Sequence, residues 1–472
     1  MLDDDSLFNI FRLYRPPLLD KNEVREYVIM EGGQWSRERW WYKLVHVCKR
    51  WRSLILGSAS HLGICLVCTY GTPILKMLAH SPPLPIIIDY LDANRLATKK
   101  DDEGTMLVLK RYRDRVSRIG LRTQLVKTVT KALTDKFPML EHLVLIPPET
   151  QDEGLEFPKT FRAPRLRHLI IAEFNFPRRS PLLLQTAVDL TTLYLEAIHP
   201  SASLSPNYIL RQLSHIPQLK TLGIDFPISS RHPDVKEMLL RSPITTHVTF
   251  PDLRWFEFSG ESAYLEALLP HFTTPLLEKF NINFFDSPPV FSGQQLVQCM
   301  TTTKNLKQCR RADVNILDDE VHFQLYLHAP KAETYALNLS FVCLFPNRLM
   351  ESVAQISNVL SSIFSAVTDL NLSTVFGFSS GRHNENDYLH WRDVLRPFRN
   401  VKTLLVPRDL VGPISRSLRP DNGRSPMELL PELRELACDG SYDSMSVINA
   451  FAPFIRARKN TDRPVTLIIV PL

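Results

Sequence analysis

Apolar residues recur through most of the chain in one spacing: an apolar position, two others, a second apolar position, one other, a third. The spacing appears at Val116/Ile119/Leu121, Leu140/Leu143/Leu145, Leu166/Leu169/Ile171, Leu190/Leu193/Leu195, Leu219/Leu222/Ile224, Leu253/Phe256/Phe258 and Leu277/Phe280/Ile282. It returns at Thr334/Leu337/Leu339, Val367/Leu370/Leu372, Val401/Leu404/Val406 and, shortened, at Leu433/Leu436. Alternation of this kind predicts a short strand at each copy. Pro138, Pro164, Pro217, Pro251, Pro275 and Pro431 each stand two residues before a copy, where a residue without an amide hydrogen ends one element and starts the strand. Between copies lie helical spacings, such as Leu125/Val129/Leu133/Phe137, Leu265/Leu268/Leu269, Met350/Val353 with Leu360/Ile363, and Leu389/Val394/Leu395/Phe398.

Successive copies begin 24 to 34 residues apart, except for one step of 57 between Leu277 and Thr334, which predicts a damaged copy near residues 306–316. This is the rhythm of leucine-rich repeats. The expected fold class is α/β: a leucine-rich-repeat solenoid over residues 111–472, with a curved parallel sheet inside and helices outside. Residues 63–110 are expected to form a connector and a first irregular repeat. An ordinary α/β domain would also alternate strands and helices, but no Gly-rich phosphate loop occurs, and 35 prolines stand against 16 glycines. The regular Asn or Cys after the third apolar position is missing, so no inner asparagine ladder is expected.

A chain of 472 residues exceeds what one core supports, which favours several domains or an array. Its net charge of +6 is weak for a nucleic-acid binder, and the basic stretch Lys110, Arg111, Arg113, Arg115, Arg118, Arg122, which Asp114 interrupts, reads as a solvated flank. Seven scattered cysteines read as reduced thiols, and no apolar run is long enough to span a bilayer. The acidic start, Asp3 to Asp5, is unlike a secretory signal. These features predict a cytoplasmic or nuclear protein with no membrane or nucleic-acid partner.

Residues 1–62 do not follow the repeat. Leu7, Ile10 and Phe11 form an apolar stripe behind Asp3 to Asp5, which predicts a short amphipathic helix. A second stripe, Trp41/Leu44/Val45/Cys48 with Trp51, Leu54 and Ile55, shares its stretch with Lys43, Lys49, Arg50 and Arg52. The run from Leu44 to Leu54, with its Val47-Cys48-Lys49-Arg50-Trp51 core, resembles the second half of an F-box. Leu2 to Phe11 resembles the opening of the same motif, with Asp3 in place of a proline and Ser6 in place of an aliphatic residue. An insertion at about residues 14–38 separates the halves. The continuation through His61-Leu62, Leu66-Val67-Cys68 and Gly71-Thr72-Pro73 is similar to fungal F-box proteins with degenerate leucine-rich repeats.

That resemblance implies a small all-helical F-box domain over 1–62 that docks on a Skp-type adaptor of a cullin ubiquitin ligase, while the repeats hold a protein substrate. Its adaptor-contacting and core positions match Leu2, Leu7, Ile10, Phe11, Leu44, Val47 and Leu54. Trp51 and Cys48 read as internal packing residues. Alternating positions of the repeat strands predict a substrate face with Tyr194, Glu196, Asp225, Trp255, Glu257, Lys279, Asn281, Asn283, Asn338, Asp369 and Asn371. Trp255 is its natural anchor.

Catalytic motifs are thin. Gly377-Phe378-Ser379-Ser380-Gly381 matches a nucleophile elbow but is followed by a polar run and lacks an ordered acid and histidine. Cys65 and Cys68 make a C-x-x-C along an apolar strand, whose alternation separates the thiols. Asn338 and Asn371 each begin a glycosylation sequon that a chain without a secretory signal would not expose to the machinery. No cofactor or metal is expected. The chain therefore reads as a non-enzymatic substrate receptor, a monomer within a hetero-complex; the alternative is a repeat scaffold whose degenerate F-box has no ligase role.

Overall fold

The computed structural model describes residues 2–16, 35–92, 94–122, 124–134, 136–147, 155–175, 182–197, 205–226, 239–240, 243–285, 293–317, 319–327, 335–343, 349–374, 387–419, 427–439 and 444–470. They divide into two compact units, Met1–Thr221 and Leu222–Leu472. Both are mixed α/β, with mostly parallel strands and intervening helices. No described helix is long and apolar enough to cross a membrane.

The first unit opens with helices α1 (Asp4–Tyr14), α2 (Trp41–Leu44), α3 (Lys49–Gly57) and α4 (Ala59–Leu62). Its strands are β1 (Leu66–Cys68), β2 (Ile86–Tyr90), β3 (Val116–Leu121), β4 (His142–Leu145), β5 (Leu155–Glu156), β6 (His168–Ala172), β7 (Phe174–Asn175) and β8 (Thr192–Glu196). Six of them lie side by side in the order β1-β2-β3-β4-β6-β8, every pair parallel, while β5 and β7 form a separate short pair. The prolines act through tight turns. In Phe137-Pro138-Met139-Leu140 and Ala163-Pro164-Arg165-Leu166 the last amide donates to the first carbonyl, at 3.4 and 3.1 Å. Proline at the second turn position needs no donor and has its φ preset. Thr274 to Leu277 and Leu430 to Leu433 close the same turn in the second unit.

Residues 63–110 hold two full strands, β1 and β2, separated by the helix Ile74–His80 and followed by the helix Lys99–Arg111. Thr98 and Asp101 cap the latter reciprocally. Two residues of the basic stretch are structural rather than solvated. Arg115 Nε donates to the Leu84 carbonyl at 3.0 Å, and Arg118 pairs with Glu38 at 3.1 Å.

Both faces of this parallel sheet are covered, as a sheet rich in Ile, Leu and Val requires. One face carries the repeat residues Ile119, Leu121, Leu143, Leu145, Leu169 and Ile171, all buried. The other packs Val67, Ile87, Leu91, Val144, Ile170 and Tyr194 into one cluster closed by Trp35. Trp35 opens a short 3-10 turn, Trp35–Arg39, that lies on the strands. Its indole stands edge-on to His142 at 6.4 Å, and His142 stacks on His168 at 4.4 Å. Burial, then the neighbouring His168, pushes the His142 imidazole well below its usual range. Arg39 donates to the Val67 carbonyl at 3.0 Å and to Thr72 Oγ1 at 2.7 Å, and Trp41 Nε1 donates to the Cys65 carbonyl at 3.2 Å. The segment 35–41 is thus fastened across the first strands.

The second unit contains β9 (Thr221–Asp225, beginning at the boundary), β10 (Val248–Thr249), β11 (Trp255–Gly260), β12 (Phe272–Thr273), β13 (Lys279–Phe284), β14 (Cys309–Ile316), β15 (Glu320–Leu327), β16 (Tyr335–Val342), β17 (Asp369–Thr374), β18 (Thr403–Val406), β19 (Glu435–Asp439) and β20 (Thr466–Val470). The expected damaged copy near 306–316 is instead the first arm of a meander. β14 and β15 are antiparallel, β15 and β16 are antiparallel, and the spatial order is β13-β16-β15-β14-β17. The outer strands keep the parallel rule, since β16 is parallel to β13 and β14 to β17. In β13, β15, β17 and β18 buried positions alternate with half-buried ones, so one face of these strands stays open.

Two outcomes test the covered face of the first unit. A Cβ on Gly120 would stand 2.7 Å from Leu91 Cδ1 and 2.9 Å from the Trp35 ring. Gly120→Ala should therefore cost about 1–3 kcal/mol in denaturant unfolding followed by tryptophan fluorescence. Burial pushes the Asp89 carboxyl up to about 7, with the Leu91 and Trp35 amides and Arg39 opposing only in part. The folded chain holds this proton more tightly than the unfolded chain, so the Asp89 contribution to stability falls as pH rises from 3.8 to about 7. Unfolding free energies from denaturant titrations across that window should decline less steeply in Asp89→Asn, by at most about 1.4 kcal/mol per pH unit.

Candidate functional site

Two surfaces gather the expected site residues. The first is the amino-terminal helical segment. Asp3 caps α1, its carboxylate accepting from the Ser6 amide at 2.7 Å, and this hydrogen bond holds the carboxyl below its usual range. A proline there has no side-chain acceptor and could not cap, so Asp3 has a local structural purpose. Arg50 ties the start of α1 to α3, donating to Asp4 Oδ1 at 2.6 Å and to the Leu2 carbonyl at 2.8 Å. Phe11 meets the Trp51 ring edge-on at 5.1 Å.

Leu7 and Phe11 are 3% and 0% exposed, so these two residues, expected among the adaptor contacts, build the interior of the segment. Ile10, one helical turn from Leu7, points outward with Leu2, Leu13, Tyr14 and Val47, while Leu44 and Leu54 are half-buried. Cys48 is exposed rather than packed inside. Its sulfur accepts from the Trp51 amide at 3.4 Å and caps α3.

The second surface is the open face of the second unit. It carries Trp255 and Glu257 on β11, Lys279, Asn281 and Asn283 on β13, Asn338 on β16, and Asp369 and Asn371 on β17. Asp225, at the end of β9, is half-buried. Asn281 and Asn338 are register partners, and Asn338 Nδ2 donates to Asn281 Oδ1 at 2.8 Å. Trp255 is half-buried, with the Lys279 ammonium 4.7 Å from its ring centre, so it packs against its neighbour strand instead of projecting as an anchor. Glu257 is on the face but 8% exposed. Tyr194 is corrected outright: at 3% exposure it belongs to the closed cluster of the first unit, while Glu196 is half-buried at the end of β8.

The meander adds residues that the repeat pattern missed. Arg311 forks onto the Asp313 carboxylate at 3.0 and 2.9 Å and lies 5.1 Å from the Tyr326 ring. The Asp313 hydrogen bond raises the Arg311 guanidinium above its ordinary value. Tyr326 donates to Gln324 Oε1 at 2.9 Å, and Ser373 donates to Asn315 Oδ1 across β14 and β17. The signal was present in Glu320-Val321-His322-Phe323-Gln324-Leu325-Tyr326, a strict period-two run. The result is a polar row at the outward strand positions of β13, β16, β15, β14 and β17, made of side-chain amides except for Asp313 on β14. Chemically the face offers hydrogen bonds and charge over several strands, which suits holding a partner.

Among the described residues no group of three or more His, Cys, Asp or Glu side chains could hold a metal ion. Gly377 to Gly381 lies outside the described residues. Burial pushes the Cys65 thiol up to about 11 and the Cys68 thiol up to about 12, so both carry their protons near neutral pH. The chain matches no protein-family model and no curated protein.

Thiol labelling should follow this geometry. With a maleimide under native conditions, mapped by peptide mass spectrometry, Cys48 should react first; Cys68, Cys309, Cys343 and Cys438, all buried, should label only after denaturation.

Proposed function

We propose that the chain is the non-catalytic substrate-recognition subunit of a Skp-cullin-F-box ubiquitin ligase. In this reading the amino-terminal helices dock on a Skp-type adaptor, the repeat strands hold a protein substrate, and other subunits carry out ubiquitin transfer. One observation supports it above the rest: Ile10, Leu13, Tyr14, Leu2 and Val47 are exposed apolar residues on a small helical segment whose own interior, Leu7, Phe11 and Ile55, is already filled. Apolar side chains for which the segment's own interior has no room suit a partner that covers them. The Leu44 to Leu54 resemblance to an F-box names that partner, and the repeat strands are read as a leucine-rich-repeat solenoid.

Co-precipitation with a purified Skp-type adaptor tests the proposal. Wild type should retain the adaptor, and Ile10→Arg with Val47→Arg should lower retention by roughly tenfold or more, because a charge would be buried at the contact. Both substitutions are at exposed positions, so the thermal midpoint should hold. Failure of wild type to retain the adaptor would end the receptor reading.

A further inference from the structure

We infer that the chain pairs with a second copy of itself through the outer edge of β20, strand against antiparallel strand about a two-fold axis. This pairing goes beyond the receptor reading and stands without it.

Two edge strands are finished differently. At β1 the Leu66 amide donates to the Pro85 carbonyl, which turns the backbone groups of Cys65 and Val67 outward. Side chains close that edge: Tyr42 Oη accepts from the Val67 amide at 3.3 Å, Arg39 donates to the Val67 carbonyl, and Trp41 donates to the Cys65 carbonyl. At β20 the Thr466 amide donates to the Arg434 carbonyl at 2.8 Å, and the strand is parallel to β19. Thr466 and Ile468 therefore turn to β19, and the amides and carbonyls of Leu467 and Ile469 turn outward. Among the described residues no strand and no side chain meets them. Natural edges are blunted by charge, proline, a bulge or a cover. The strand Thr466-Leu467-Ile468-Ile469-Val470 carries no charge, proline or bulge.

The side chains are equally unfinished. Leu467 and Ile469 are register partners of Leu436 and Cys438, which are 0% exposed, yet both are only half-buried, and Ile468 is exposed on the other face. The helix Ser444–Lys459, which packs on β20, buries Val447, Phe451 and Phe454. It also carries a second apolar stripe, with Met445 and Ile448 exposed and Ala452 and Ile455 half-buried.

A second copy answers both needs. A two-fold axis through Ile468 opposes Leu467 to Ile469 of the second copy, so each outward amide meets an outward carbonyl, and Ile468 lies against Ile468. Because the strand has no charged residue, self-pairing sets no like charges together. The axis is perpendicular to the sheet, which leaves the Ser444–Lys459 helix and its copy on one side, antiparallel, with their dipoles opposed. Such a contact closes at two copies and presents no further edge.

Light scattering during size exclusion of the full chain, at up to about 100 μM because so small a contact is a weak one, should give a mass rising from 54.3 kDa toward twice that value. Ile468→Lys sets two ammonium groups against each other and should hold the mass at one chain, as should Ile468→Glu, with circular dichroism unchanged. An equimolar mixture of these two variants should recover the doubled mass. In a Cys48→Ser background, which removes the exposed native thiol, Ile468→Cys should form a disulfide-linked dimer in mild oxidant, since opposed residues of such a pair bring their Cα atoms within disulfide reach. Ile469→Cys, which faces Leu467 of the second copy, should not. A single-chain mass at every concentration, assembly that runs past two copies, or no recovery on mixing folded Ile468→Lys and Ile468→Glu would each overturn the inference.

Discussion

A strand in a parallel sheet has two faces, and the chain must either cover the second or make it polar. In the first unit the second face is Val67, Ile87, Val144, Ile170 and Tyr194, and exposing it would leave a broad apolar patch in water. Trp35 and Leu91 close it, and Gly120 leaves room for them because any side chain there would meet both. The cover comes from the segment that leads into α2, so the amino-terminal helices are fixed to the first strands by Arg39, Trp41 and the Glu38–Arg118 pair. Covering the sheet and holding the helices are one packing event.

In the second unit the same constraint is met by polarity. Asn281, Asn338 and Asn371 occupy the middle strand position that is Val144, Ile170 and Tyr194 in the first unit, and Asn338 with Asn281, and Asn315 with Gln324 and Ser373, share hydrogen bonds across neighbouring strands. Side-chain amides tolerate both water and a bound peptide group, so such a face stays stable when empty and still has donors and acceptors to offer.

Much of this was legible in the sequence, and the failures have identifiable causes. All eleven copies of the apolar spacing fall on strands, because burial on the helix side imposes a pattern that needs no tertiary knowledge. β2 was missed because Ile86-Ile87-Ile88 is apolar on both faces and shows no gap. β14 was expected only as a damaged parallel copy and β15 was missed, because the apolar spacing describes parallel strands in chain order and an antiparallel arm breaks it, although the alternation in β15 was plain. The burial of Tyr194 depends on Trp35, more than a hundred residues earlier, and no local pattern records that contact. In α1 the helical stripe was legible, but only tertiary packing, such as that of Phe11 on Trp51, sorts Leu7 and Phe11 inward from Ile10 outward.

The meander also sets the order in which the second unit can be assembled. Along the other strands each new segment finds its neighbour already laid down, so a chain emerging from the ribosome could add strands one after another. At β13 that stops. The strand next to it in space is β16, and β14, which emerges first, belongs beside β17. Growth from the amino-terminal side must wait until residue 342 has emerged, with the three-residue connection between Ile316 and Glu320 holding β14 and β15 together meanwhile. A chain cut short between β13 and β16 would carry an unfilled sheet edge, the form in which strands pair with the wrong partner.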